Sequence, residues 1–225
     1  MSRHDNEKAV LEQYNNSRLF HSLLVGKFVT DVDAVLDQAA ENFSGMLPDM
    51  AYVDKPDDPM ANNLFLCCGI LALYQALEPR NVSVEDFGSA MLDFIRQAPQ
   101  QDATDQTTAE SPDITLREAA RRSQTEPLAG EFVFELLEAE AQLDWGMNIK
   151  SCAICHAFAK YDAMDLVPYM CASDDVVSDR AGSGLRRTGS IAVGAHECDF
   201  RYKQGAEPLY LADQYPQKIK LKQQD

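Results

Sequence analysis

The stretch VPYMCASDD, Val167 to Asp175, sets Cys171 three residues before the first of two adjacent aspartates, Asp174 and Asp175. Further on, ECDFRYK brings a second pair, Cys198 and Asp199. A thiolate is both a strong nucleophile and a soft metal ligand, so a thiol beside a carboxylate points to nucleophilic or metal chemistry. A buried cysteine near a solvated helix aspartate leaves the same trace. Of the six cysteines, Cys67 and Cys68 sit in an apolar run and read as small buried hydrophobes. Cys152, Cys155, Cys171 and Cys198 are the candidates for chemistry.

Two chemistries compete for them. Cys152-x-x-Cys155 followed by His156 has zinc-knuckle spacing, and Cys171 with Cys198 would complete four soft ligands. No second knuckle accompanies it, and positions three apart also share one buried helix face. The same dithiol lacks the aromatic and proline setting of a thioredoxin-like redox motif, and CAICH stands too isolated for haem attachment. For nucleophilic catalysis, Cys171 or Cys198 supplies the thiol, Asp174, Asp175, Asp199 or His156 moves the proton, and Arg186, Arg187 or Arg201 holds an anion. A free thiol has a pKa of about 8.5 and needs a nearby cation or helix N-terminus to ionise. Asp174 is preferred over Asp175 because a spacing of three puts it on the helical face of Cys171. Each residue also has an ordinary structural explanation: Cys198 is in phase with Phe200 as a core residue would be, Arg201 can pair across strands, and His196 falls in a turn.

The elements that would position these groups follow from periodicity. Apolar residues from Leu11 through Tyr14, Leu23, Phe28, Val35 and Phe43 recur at helical spacing, as one long helix or two. Asn62 or Asn63 can cap a helix running to about Leu77, and Ser83 with Asp86 suggests a capping box for the next. Gln97 to Asp113 is almost free of apolar residues and reads as a linker. Thr115 with Glu118 suits the start of another short helix. AGEFVFELLEAEAQ is ambiguous between helix and strand. Leu143 to Lys150 alternates as a half-buried strand, Ser151 to Tyr161 and Leu166 to Ala181 read as helices, and Gly184 to Val193 with Cys198 to Lys203 as a strand pair. The tail QKIKLKQQD reads as a solvated end. The expected fold is α+β: a helical N-terminal half packed with a small, mainly antiparallel sheet and covering helices in the C-terminal half. The regions are 1–97 helical, 98–113 linker, and 114–225 carrying the site. In that arrangement Cys171 and Cys198 approach each other, with Cys152 lining the same pocket.

Composition narrows the function. With 225 residues, 45% hydrophobic, the chain can bury a full core. A net charge of −16 argues against a nucleic-acid partner, since phosphate affinity rests on Lys and Arg. The polar start MSRHDNEKAVLEQYNN lacks the apolar stretch of a secretory signal, and the longest apolar run, Leu64 to Leu77, is broken by Gly69 and Gln75. A cytoplasmic protein with no membrane partner is expected, acting on a small molecule and compatible with a homo-oligomer.

CAICHAFAKYDAMDLVPYMCASDD followed by GSGLRRTGSIAVGAHECDFRYK resembles the L-2-amino-thiazoline-4-carboxylic acid hydrolase family: a cysteine after a strand, a P-x-x-C-x-x-D helix, a glycine-bracketed L-x-R-T strand and a closing C-D-F-R. LFLCCGILALYQAL with SVEDFGSAML is similar to that family's helical half. Cys155, His156 and the Arg186–Arg187 pair depart from the pattern. The resemblance implies a hydrolase that opens a cyclic isothiourea, or a related C–N bond in a cyclic amidine, to an N-carbamoyl-cysteine-type product in cysteine biosynthesis. It would work through a cysteine nucleophile or a cysteine-bound metal such as zinc, with Cys171, Asp174 and Cys198 catalytic and Arg201 or Arg187 receiving the substrate carboxylate. The alternatives are a non-catalytic small-molecule or zinc-binding sensor domain using the same thiols, and a structural protein whose cysteines are core.

Overall fold

The architecture is that of a computed structural model, which describes residues 2–98 and 112–221. Helices α1 (Arg3–Asn16), α2 (Arg18–Val25), α3 (Val32–Met46), α4 (Ala61–Leu77) and α5 (Val84–Gln97) form the first part. The second part runs α6 (Ile114–Thr125), β1 (Val133–Leu137), β2 (Trp145–Ser151), α7 (Ala153–Ala159), α8 (Val167–Ala181), β3 (Leu185–Arg186), β4 (Cys198–Tyr202) and α9 (Leu211–Gln214). The strands make one antiparallel sheet in the order β1-β2-β4-β3. The α+β expectation therefore holds. Most of the 98–113 linker lies outside the described residues.

Several local expectations are corrected. The long N-terminal pattern is three helices, because Gly26 to Asp31 leave the helical path between α2 and α3. Neither Asn62 nor Asn63 caps α4; Asp58 instead accepts the Met60 N–H at 2.9 Å. Asp113, not Thr115, caps α6, accepting the Leu116 N–H at 2.8 Å. The ambiguous AGEFVFELLEAEAQ contains edge strand β1. The expected Gly184 to Val193 strand shrinks to two residues, because Asp199 draws the chain off the ladder: its carboxylate accepts the backbone N–H groups of Thr188 at 3.0 Å and Gly189 at 2.9 Å, and the Thr188 hydroxyl at 2.6 Å. The tail is not wholly solvated. Ile219 is buried, and the Lys220 backbone exchanges hydrogen bonds with the Tyr169 hydroxyl.

The pleat decides which side chains reach the core. Register pairs Ile149 with Cys198, Met147 with Phe200 and Trp145 with Tyr202, so these six share one face. The opposite face carries Asn148, Asp199 and Arg201. Leu185 pairs with Tyr202 and is buried, Arg186 points away and is exposed, and Arg187 turns inward again with no exposed surface. Helices from both halves close over this face in a single core that includes Leu71, Phe87, Phe158, Leu166 and Leu185. Gly88 makes the close approach of α5 to α8 possible: a Cβ there would meet the Tyr169 ring at 2.3 Å. No helix among the described residues is long and apolar enough to cross a membrane.

Candidate active site

Helix α8 starts with Pro168 in its first turn and stops at Gly182, whose φ of +65° is left-handed and suits a residue without Cβ. Between them Cys171, Asp174 and Asp175 fall within one turn of each other, toward β3 and β4. Arg187 answers them from the end of β3. Its guanidinium donates to Asp174 Oδ2 at 3.1 Å, to Asp175 Oδ1 at 3.1 Å and to the Cys171 carbonyl at 2.6 Å, and it stacks 4.6 Å from the Phe200 ring centroid. The Arg187 side chain is 0% exposed and Asp175 1%, while Asp174 keeps 44%. Asp175 Oδ2 also accepts the Leu211 N–H at 2.8 Å, and Gln214 donates to the Arg187 carbonyl at 2.9 Å, so α9 pins the pair from behind. Arg187 Nε–H is buried with no acceptor among the described residues.

Asp174, Cys171, Cys67 and Tyr202 are each partly accessible, yet burial is the leading influence on the titration of all four and raises every one. These four partly accessible groups, on α8, α4 and β4, mark a recess beside Arg187. Four thiols gather there: Cys152, Cys171 and Cys198 are within electrostatic reach of each other, and Cys67 is within reach of Cys152 and Cys171. They are not equivalent. Burial pushes the Cys171 thiol up while Arg187 pulls it down. Burial also raises Cys198 to about 12; its sulfur accepts the Ile191 N–H at 3.3 Å, and it is 4% exposed. Cys152, 7% exposed, is raised first by a hydrogen bond with Cys155 and then by burial. Cys67 feels only upward influences, burial first and then neighbouring thiols and Asp174. Cys171 is thus the thiol that combines access with an adjacent cation.

Cys171, Cys198, Cys152, Asp174 and Arg187 are brought together, and Cys67 joins them. Cys67, expected in the core, is half-buried and packs against it, while Cys68, 1% exposed, lies fully within it. The step of about 100° between consecutive helix residues turns the two thiols apart without telling which of them faces outward. Arg201 is not brought to the thiols: it projects from the opposite face of β4, donating to Asn148 Oδ1 at 2.8 Å and to the Phe200 carbonyl at 2.8 Å. Asp199 is occupied with the Thr188–Gly189 turn. His156 pairs with the Ser151 hydroxyl at 2.8 Å and lines a different cavity. His196 is exposed. Among the described residues, no group of three or more His, Cys, Asp or Glu side chains is arranged to hold a metal ion.

Burial pushes Asp175 up to about 6, against Arg187 and the Leu211 N–H, which hold it down. Its unfolded value is about 3.9, so between roughly pH 4 and 6 the native state binds the proton more readily than the unfolded chain. The stability from this group is fully present below that window and is lost as pH rises through it. In urea titrations across pH 4 to 7, wild type is expected to lose stability relative to Asp175→Asn as pH increases; parallel profiles would contradict it.

A family model described as L-2-amino-thiazoline-4-carboxylic acid hydrolase matches residues 65–202, from α4 through β4. Neither the curated proteins nor the solved structures yield a match to the chain.

Proposed function

Because the chain belongs to the L-2-amino-thiazoline-4-carboxylic acid hydrolase family, we propose that it opens a 2-aminothiazoline-4-carboxylate, or a close cyclic isothiourea, with water at the Cys171 recess. The observation that carries this is the Cys171–Asp174–Arg187 group: a half-buried cysteine, an accessible carboxylate one turn away and a buried cation bonded to both residues. With Asp174 and Asp175 ionised against the single Arg187, the group carries a net negative charge. That charge suits the amidinium end of such a substrate.

The substrate cation supplies a positive charge on the solvent side of Cys171. Its charge beside Cys171 lowers a thiol pKa that burial holds high, and the thiol proton passes to Asp174, whose own value burial raises. The sulfur adds to the carbon between the ring sulfur and the two nitrogens. The ring carbon–sulfur bond then breaks, and its electron pair leaves on the ring sulfur, which takes the proton from Asp174. Water, deprotonated by Asp174, adds to the resulting S-amidino carbon and expels the Cys171 sulfur, which is reprotonated. One water is consumed, both nitrogens stay on carbon, and an N-carbamoyl-cysteine-type thiol is released. Arg187 holds Asp174 in place throughout and limits the negative charge that builds up near it.

Incubation with L-2-amino-thiazoline-4-carboxylate is expected to release one new thiol per substrate consumed, with a product heavier than the substrate by one water. If no thiol appears at protein concentrations comparable to the substrate, the reading fails.

A further inference from the structure

A second cavity, of about 320 Å³, lies among α3, α4, α7 and the loop at Ala129 and Gly130. Cys171, Asp174 and Arg187 are not among the residues that line it. It is back to back with the recess: Cys67 belongs to the recess and Cys68 to the cavity, as do Cys152 and Ala153 respectively at the head of α7. Ala153, His156, Ala157 and Lys160 line it at the i, i+3, i+4, i+7 spacing of one helix face.

The walls are apolar, with Met46, Met50, Leu64 and Ala153 among them, and the polar groups are Asp49, His156, Lys160 and Tyr161. Lys160 Nζ donates to the Asp49 backbone carbonyl at 3.1 Å, which keeps the two residues together on one side. Both residues, like His156, are exposed and stand at the rim of the cavity; their opposite charges form no ion pair with each other, and neither has another ion-pair partner among the described residues. Both reach the cavity electrostatically: Lys160 acts on the Cys68 thiol in its wall, and Asp49 on the Tyr161 hydroxyl. An apolar chamber of this size is at the small end of ligand pockets, roughly 300–1,000 Å³. At that rim a simple carboxylate would meet Lys160 but also the like charge of Asp49, and a simple amine would face the reverse. A zwitterion satisfies both.

We propose that this cavity binds a free α-amino acid with an apolar side chain of about leucine size, its carboxylate toward Lys160, its ammonium toward Asp49 and its side chain between Met46, Met50 and Leu64. The site is separate from the hydrolytic recess, so the proposal does not depend on the reaction assigned there.

Calorimetric titration with L-leucine, isocaproate and isoamylamine tests it. L-leucine is expected to bind, with each probe that lacks one charge at least about tenfold weaker. Lys160→Met should weaken L-leucine at least about tenfold and leave isoamylamine unchanged, Ala157→Trp should fill the chamber and abolish binding, and Cys171→Ser should bind L-leucine as wild type does. Should Ala157→Trp fail to fold, the surface change Lys160→Met still decides. No binding of millimolar L-leucine, isocaproate binding as tightly as L-leucine, or displacement of L-leucine by L-2-amino-thiazoline-4-carboxylate would each overturn it, the last by making the cavity part of the reaction site.

Discussion

Cys171→Ser is expected to lower turnover of the thiazoline substrate on the order of a thousandfold, about 4 kcal/mol of barrier, without changing the urea midpoint. The alcohol is nearly isosteric with the thiol, so packing in the recess is kept. At neutral pH, however, it has no accessible anionic form and attacks the amidine carbon poorly. The Cys171 side chain donates none of the bonds that hold α8: Arg187 uses the Cys171 carbonyl, which the substitution leaves in place. The parallel variants Cys67→Ser and Cys198→Ser separate attack from crowding. Cys67 has no cation pulling its thiol down, and the Cys198 sulfur is buried against the Ile191 N–H, so both should retain turnover within about tenfold of wild type. Turnover by Cys171→Ser near the wild-type rate, with Cys67→Ser inactive, would move the nucleophile to α4. In a rapid-quench experiment wild type should also carry an amidino adduct on Cys171, located by mass spectrometry of its peptide, and the serine variant should carry none.

The parts of this site that were legible in the sequence are those set by local rules. The spacing of three between Cys171 and Asp174 places both on one turn of α8, and the alternation Cys198, Phe200, Tyr202 puts the thiol on the core face of β4. The same count places Arg201 on the other face, so its exclusion from the thiols could have been read from the pleat alone. Arg187 was harder, because its inward turn depends on the Leu185–Tyr202 register, a pairing across the chain. What shortens β3 is a long-range bond set, the Asp199 carboxylate on Thr188 and Gly189, and in GLRRTGSIAV alternating residues look like a strand whether or not a ladder partner exists. Helix α4 hid Cys67 for another reason. It is apolar nearly all round, so hydrophobic periodicity carries no information about which face meets a cavity.

Replacing Arg187 should cost more than activity. Asp175 is 1% exposed, and Arg187 is the cation bonded to it. Arg187→Ala leaves that carboxyl buried without a counter-charge and removes donors to Asp174 and to the Cys171 carbonyl. Breaking a buried pair by removing one partner costs about 3–5 kcal/mol, a large fraction of the total stability of a typical domain. Turnover should fall along with stability, since Asp174 loses the contact that positions it beside Cys171. Lysine is a poor substitute: one ammonium cannot span two carboxylates and a carbonyl as the guanidinium fork does, so Arg187→Lys should recover only part of the stability. The double variant Arg187→Met with Asp175→Asn tests the cause. Once both buried charges are gone, the urea midpoint should return most of the way to wild type, while turnover stays low because Asp174 is still unanchored. If Arg187→Ala unfolds within about 1 kcal/mol of wild type, the buried ion pair is not what holds α8 to the sheet. If the double variant regains full turnover, Arg187 has no positioning role in the reaction.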